Sequence, residues 1–161
     1  FTNERAGLNL GEGAAYLVME PLDAAIARGA TPLAIMAGGA NRNDAHHQTA
    51  TSPDGRGPYE AMQLALQRAG LETGALDHIN AHGTGTPEND KMETLGVLEA
   101  VFSVLAIMHS FVPSGAPAQV PMDGRRSMPQ QRAEARAVRA ALSNSFGFGG
   151  NDTALVFTSA H

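Results

Sequence analysis

The feature that most limits how this chain can fold is a glycine-rich bend between two β-prone runs. Residues 137–143 and 153–158 read as strands. Between them lies Asn144-Ser145-Phe146-Gly147-Phe148-Gly149-Gly150-Asn151. Glycine reaches positive φ without steric cost and lets a backbone come close to a ligand. Two readings follow. A tight strand-to-strand hairpin accounts for the glycines. So does a row of adjacent backbone N–H groups placed to receive a developing oxyanion. The hairpin alone leaves two phenylalanines inside the bend unexplained. A phosphate cradle fits poorly, because neither a Lys-Ser/Thr pair nor a helix follows the glycines.

Upstream, Gly and Pro divide the chain into short elements. The Gly-rich stretch 7–13 leads into an apolar run over 14–20, which reads as a buried strand. Residues 21–28 read as a short helix, with Pro21 in its first turn and Gly29 as its stop. Residues 33–37 read as a strand closed by Gly38-Gly39, followed by a polar loop over 41–57. Residues 58–69 read as a helix stopped by Gly70. Residues 78–80 form a short strand running into His82-Gly83-Thr84-Gly85-Thr86-Pro87. From 88 to about 109, Met92, Leu95, Leu98, Phe102, Leu105 and Met108 recur at helical spacing and give one apolar face. Residues 112–129 hold four prolines and read as an irregular connection. Strands alternating with helices point to a single layered α/β domain.

Composition narrows the function classes. At 161 residues the chain is long enough for one core, and 18 glycines with only 17% charged residues suit an α/β enzyme domain. The net charge of −5, with Arg132, Arg136 and Arg139 as the one basic stretch, argues against nucleic acid as a partner. With no cysteine there is no disulfide framework, no thiolate metal site and no cysteine nucleophile in the chain. No apolar run approaches membrane-spanning length and no signal peptide is visible. The expectation is a cytoplasmic protein without a membrane partner. Phe1 in place of Met, leading at once into a patterned segment, gives the expectation of a fragment.

His82 follows a strand end and precedes a Gly-containing loop, where α/β proteins place reacting groups. An imidazole there can donate to a developing oxyanion or transfer a proton. Thr84 and Thr86 are two apart, so an extended loop presents both hydroxyls on one side. The alternative is a helix-entry loop whose threonines cap the helix beginning at Glu88. Asp44, His46, His47 and His82 can be read as a metal site, but adjacent histidines diverge and no helical His-x-x-x-His pair exists. Asp90 and Glu93 lie three apart and can hold a cation or lysine, or simply form a favourable acidic first turn.

Taken together, these segments resemble the β-ketoacyl-acyl-carrier-protein synthases. Residues 80–93, Asn80-Ala81-His82-Gly83-Thr84-Gly85-Thr86-Pro87-Glu88-Asn89-Asp90-Lys91-Met92-Glu93, resemble that family's histidine motif. Residues 144–151 resemble its C-terminal glycine motif, residues 5–14 the segment after its nucleophile half, and residues 44–49 a mobile loop at the acyl-carrier entrance. The resemblance implies a thiolase-like α/β fold, here the C-terminal half, a layered α/β/α arrangement with a mixed sheet. It also implies an acyltransferase that condenses malonyl-carrier with an acyl thioester held on cysteine, in fatty-acid, aryl-polyene or polyketide synthesis. His82 then polarises the malonyl thioester, and the backbone N–H of Phe148 completes an oxyanion hole while its ring gates the acyl pocket. Thr84 and Thr86 contact the pantetheine arm, and Phe146, Gly147, Gly149, Asp44 and Thr49 line the substrate path. Asp90, Glu93, Glu99 and Asn80 support the site. No cofactor is implied beyond the phosphopantetheine of the acyl carrier protein. The implied partners are that carrier and either the missing N-terminal half or a homodimer partner.

Two departures from the family stand out. The nucleophilic cysteine belongs to the N-terminal half and is absent. A Ser-Thr-Lys segment and a Gly-His pair are expected between about 97 and 98, and neither is present; Lys91 is the only lysine. The expectation is an in-frame internal loss that leaves this chain inactive by itself and its sheet with an unpaired edge. The alternative functions are a non-catalytic, chain-length-factor-like partner and an inactive truncated product.

Overall fold

A computed structural model describes residues 14–48, 52–81, 97–113, 132–147 and 149–160. The glycine bend joins β5 (Ala140–Gly147) to β6 (Asn151–Thr158), paired antiparallel from Ala140↔Thr158 to Gly147↔Asn151. β1 (Ile35–Asn43) runs antiparallel to the other side of β6, and β2 (His78–Asn80) runs parallel to β5. The sheet order is therefore β1-β6-β5-β2, a mixed sheet with β2 outermost among the described residues. α1 (Leu22–Ala27) precedes the sheet, α2 (Arg56–Ala69) joins β1 to β2, and α3 (Val97–His109) lies between β2 and β5. A small separate pair joins β3 (Phe111–Val112) to β4 (Glu134–Ala135).

Strand alternation explains the layers, because successive side chains point to opposite faces. The cross-strand pair Ala141 and Phe157 is buried with Ala100, Val104 and Ile107 of α3. The next pair, Leu142 and Val156, is buried with Ala61, Ala65 and Leu66 of α2 and with Ala40 of β1. The two helices thus cover opposite faces of one sheet, giving the expected α/β/α arrangement.

Several boundaries differ from the sequence expectation. β1 does not stop at Gly38-Gly39 but passes through them, with a register irregularity between Met36 and Gly38. A Cβ at position 38 would collide with the Ala65 carbonyl and lie 2.7 Å from the Ala69 amide nitrogen. Glycine is there so that α2 can lie directly on the strand, and pairing with β6 then carries β1 on to Asn43, into the expected polar loop. β5 and β6 likewise absorb most of the bend, pairing as far as Gly147↔Asn151. β5 begins at Ala140 rather than 137, because the first of its pairs with β6 is Ala140↔Thr158. The apolar run 14–20 is not a buried strand. It has no regular structure, and Tyr16 and Val18 are 89% and 96% exposed, since no described layer covers it. α2 begins at Arg56, two residues earlier than expected, and ends at Gly70 with φ +67°. The expected long helix is seen from 97 to 109, and its earlier part lies outside the described residues. No described helix is long and apolar enough to cross a membrane.

Candidate functional site

The parallel pairing of β2 with β5 sets the geometry. Asn80 lies beside Ser143, and from that level β5 runs on four residues to Gly147. The chain leaves β2 at Ala81 toward the same end of the sheet. The carboxyl end of β2 and the β5–β6 turn therefore share the edge at which open α/β sheets place ligands.

Asp77 anchors this arrangement. Its Oδ2 accepts the backbone N–H groups of Arg139 (2.8 Å) and Ala140 (3.3 Å), and its own N–H donates to the Ala140 carbonyl (3.0 Å). The Arg139 amide, followed by that of Ala140 and the nearby guanidinium groups, holds this carboxyl below the usual range despite partial burial. Next to it, the His78 Nε2 is buried without a partner, and burial, with Arg136 nearby, lowers its pKa.

In the turn, Gly149 and Gly150 adopt φ of +82° and +72°, a conformation that costs other residues dearly. The Gly149 N–H donates to the Gln48 carbonyl (2.9 Å), and the Gly150 carbonyl accepts the Asp44 N–H (3.0 Å). The Asn43 side-chain amide donates to the Gly149 carbonyl (2.8 Å). The hairpin reading of the glycines is thus realised, and the Gly149 N–H is engaged rather than offered to a ligand. Asp44 is engaged as well. Its Oδ1 accepts the His46 N–H (3.0 Å) and its Oδ2 the Ser52 N–H (2.6 Å), so its carboxylate organises the loop it begins. Among the described residues no group of three or more His, Cys, Asp or Glu side chains comes together to hold a metal ion, and His46 and His47 are exposed.

Phe146 is buried at 2% exposure opposite Asp152, and Gly147 closes β5. Asn80 ends β2, half-buried, and Glu99 falls within α3. His82, Thr84, Thr86, Asp90, Glu93, Thr49 and Phe148 lie outside the described residues. One hollow of about 370 Å³ lies on the outer side of α2, lined by Arg42, Tyr59, Glu60, Gln63, Leu64 and Gln67.

The sequence reading passed over Asp152, which is 0% exposed with neither carboxyl oxygen hydrogen-bonded. A signal was available. Positions 152, 154 and 156 share one strand face, and Ala154 and Val156 are core residues, so period two puts an aspartate in the core. Ser143 and Asn144 on β5 also bury an unpaired oxygen each.

Comparison with known proteins places this arrangement. Residues 33–106 match the family described as beta-ketoacyl synthase, C-terminal domain. The 3-oxoacyl-[acyl-carrier-protein] synthase 2 of Synechocystis sp. is 37% identical over 188 residues, covering 98% of this chain and 45% of the relative. The mitochondrial 3-oxoacyl-[acyl-carrier-protein] synthase of Arabidopsis thaliana is 34% identical over 192 residues, covering 99% of this chain and 42% of the relative. A solved structure, the ishigamide ketosynthase/chain length factor, superposes with a TM-score of 0.88 at 31% identity, over 99% of this chain and 46% of its own. The chain spans a little under half the length of these relatives. Its mixed sheet between helical layers is the thiolase-like fold, and the chain resembles a C-terminal portion of the β-ketoacyl synthases, with residues 33–106 matching that family's C-terminal domain.

Proposed function

We propose that this chain supplies the malonyl-activating side of a decarboxylative condensation, to which a cysteine-bearing N-terminal half contributes the acyl thioester. The observation that carries this reading is the convergence of the end of β2 and the glycine turn at one edge of the sheet. In this reading His82, two residues beyond β2, donates to the thioester oxygen of a malonyl group carried on phosphopantetheine. Negative charge builds on that oxygen as carbon dioxide leaves, and a positioned donor in a dry site is the most effective way to lower the barrier. The resulting carbanion attacks the carbonyl carbon of the acyl thioester, the backbone N–H of Phe148 receives its oxygen, and the C–S bond breaks to release the cysteine thiolate. Thr84 and Thr86 hold the pantetheine arm, Asp90, Glu93, Glu99 and Asn80 support the site, and acyl carrier protein is the partner. The reading needs no cofactor beyond the carrier's phosphopantetheine, and it puts the protein in the cytoplasm.

An internal loss near residues 97 and 98 is part of the same reading. The match to the Synechocystis relative runs over 188 positions, whereas 98% of a 161-residue chain supplies about 158 of them. About thirty positions of the relative thus have no counterpart here. The outermost place of β2 among the described strands fits the loss of a neighbouring strand. That the curated relatives are synthases favours this reading over a non-catalytic partner.

The test is a hybrid. This chain replaces the corresponding portion of the Synechocystis synthase, with the roughly thirty unmatched positions kept from that relative. His82→Ala in the hybrid is expected to lower malonyl decarboxylation by about 100-fold or more while acylation of the cysteine is retained. Unchanged condensation would remove His82 from its role.

A further inference from the structure

Asp152 is the one fully buried aspartate among the described residues, and both its oxygens lack a hydrogen-bond partner. Its surroundings are tightly specified. At position 57, at the start of α2, a Cβ would collide with the Asp152 carboxyl and lie 3.1 Å from the Asp44 Cβ, so the two acidic side chains meet over that glycine. The cations nearby are turned elsewhere. Arg42, the β1 residue opposite Asp152, lies 3.6 Å from Glu60, and Arg56 of α2 binds the same Glu60 at 2.7 Å. From β5 the facing residue is Phe146, which carries no charge. His46 and Asp54 belong to the exposed loop between β1 and α2. A second carboxylate is therefore placed beside a buried carboxyl with no donor and no cation of its own. A buried carboxyl beside a second carboxylate does not ionise cheaply.

Asp44 also forms the joint between the loop and the turn. Its N–H holds the Gly150 carbonyl, and its carboxylate holds the amides of His46 and Ser52. Gly150 leaves no room for Asp44 to retreat, since a Cβ there would overlap the Asp44 carboxylate. We propose that the buried Asp152 carboxyl, protonated beside the Asp44 side chain, latches the segment 43–48 onto the glycine turn and releases it when that proton is lost. Burial, reinforced by Asp44, pushes the Asp152 carboxyl up to about 7, within the range where cells and organelles differ. The latch does not depend on the condensation chemistry proposed above.

The experiment is a carbon-13 titration of the aspartate carboxyls in the full 161-residue chain, with hydrogen exchange of the His46, Ser52 and Gly149 amides, from about pH 5 to about pH 9 with a chelator present. One carboxyl, identified by its absence in Asp152→Asn, is expected to titrate near 7. Protection of the three amides is expected to fall about tenfold across that midpoint, and to stay level in Asp152→Asn. Asp44→Asn should move the remaining titration toward that of an ordinary carboxyl. The proposal is overturned if no carboxyl titrates between about 6 and 8 in the unmodified chain. It is equally overturned if Asp152→Asn loses amide protection with pH as the parent does, or if removing the chelator and adding a divalent cation abolishes the titration. The first measurement needs no variant, so a variant that fails to fold leaves the test intact.

Discussion

Asp77 and Asp152 show opposite fates of a carboxylate at the same sheet. Asp77 accepts two backbone amides at the start of β5 and is held in its charged form, tying strands more than sixty residues apart in sequence. A group whose folded-state pKa is depressed contributes stability above its unfolded value and loses that contribution as pH falls through the folded one. Asp77→Ala is therefore expected to cost about 1–3 kcal/mol near neutral pH, with a smaller penalty below about pH 4, read as unfolding midpoints in urea. Equal midpoints at neutral pH would show that those amides do not depend on the carboxylate. Asp152 reverses the sign. With its pKa raised, stability is fullest below the unfolded value, falls between about 4 and about 7, and levels off above. Neither role was legible in the sequence for Asp77, because its partners are distant along the chain. For Asp152 the strand alternation was present but was not followed through the two polar residues that open β6.

At the scale of elements, punctuation was readable where a glycine terminates a helix and misleading where it serves packing. Gly70 ends α2 in the left-handed conformation, as expected. Gly38 instead sits inside β1, where α2 crosses it in close contact. Gly38→Ala forces either the helix or the strand to shift. The expected cost is about 2 kcal/mol or more, measured by thermal unfolding followed by circular dichroism. A loss of only a few tenths would mean that α2 is not seated on the strand as described. The apolar run 14–20 misled for a different reason. Continuous hydrophobicity identifies a doubly covered strand only where both covering layers exist, and none of the described residues covers this run. The short β3–β4 pair could not be foreseen, because two-residue strands have no periodicity to detect.

For the whole molecule, the order β1-β6-β5-β2 follows from a hairpin legible in its glycines and from one parallel pair that only the structure reveals. The motifs bearing His82 and the glycine bend were recognisable as local signatures. The convergence of the end of β2 with that bend was not, since parallel neighbours need not be close in sequence. The remaining groups that condensation needs lie beyond what this chain carries. It has no cysteine on which to hold an acyl group, and it spans 45% of its Synechocystis relative. In the proposed function, condensation therefore requires the cysteine-bearing half as well. The most direct measurement is mass spectrometry of carrier-bound products after the 161-residue chain alone meets malonyl- and acyl-carrier protein. No 3-oxoacyl product is expected above the background of the carriers by themselves; a 3-oxoacyl-carrier species that accumulates with time and with chain concentration would contradict the need for a cysteine-bearing half.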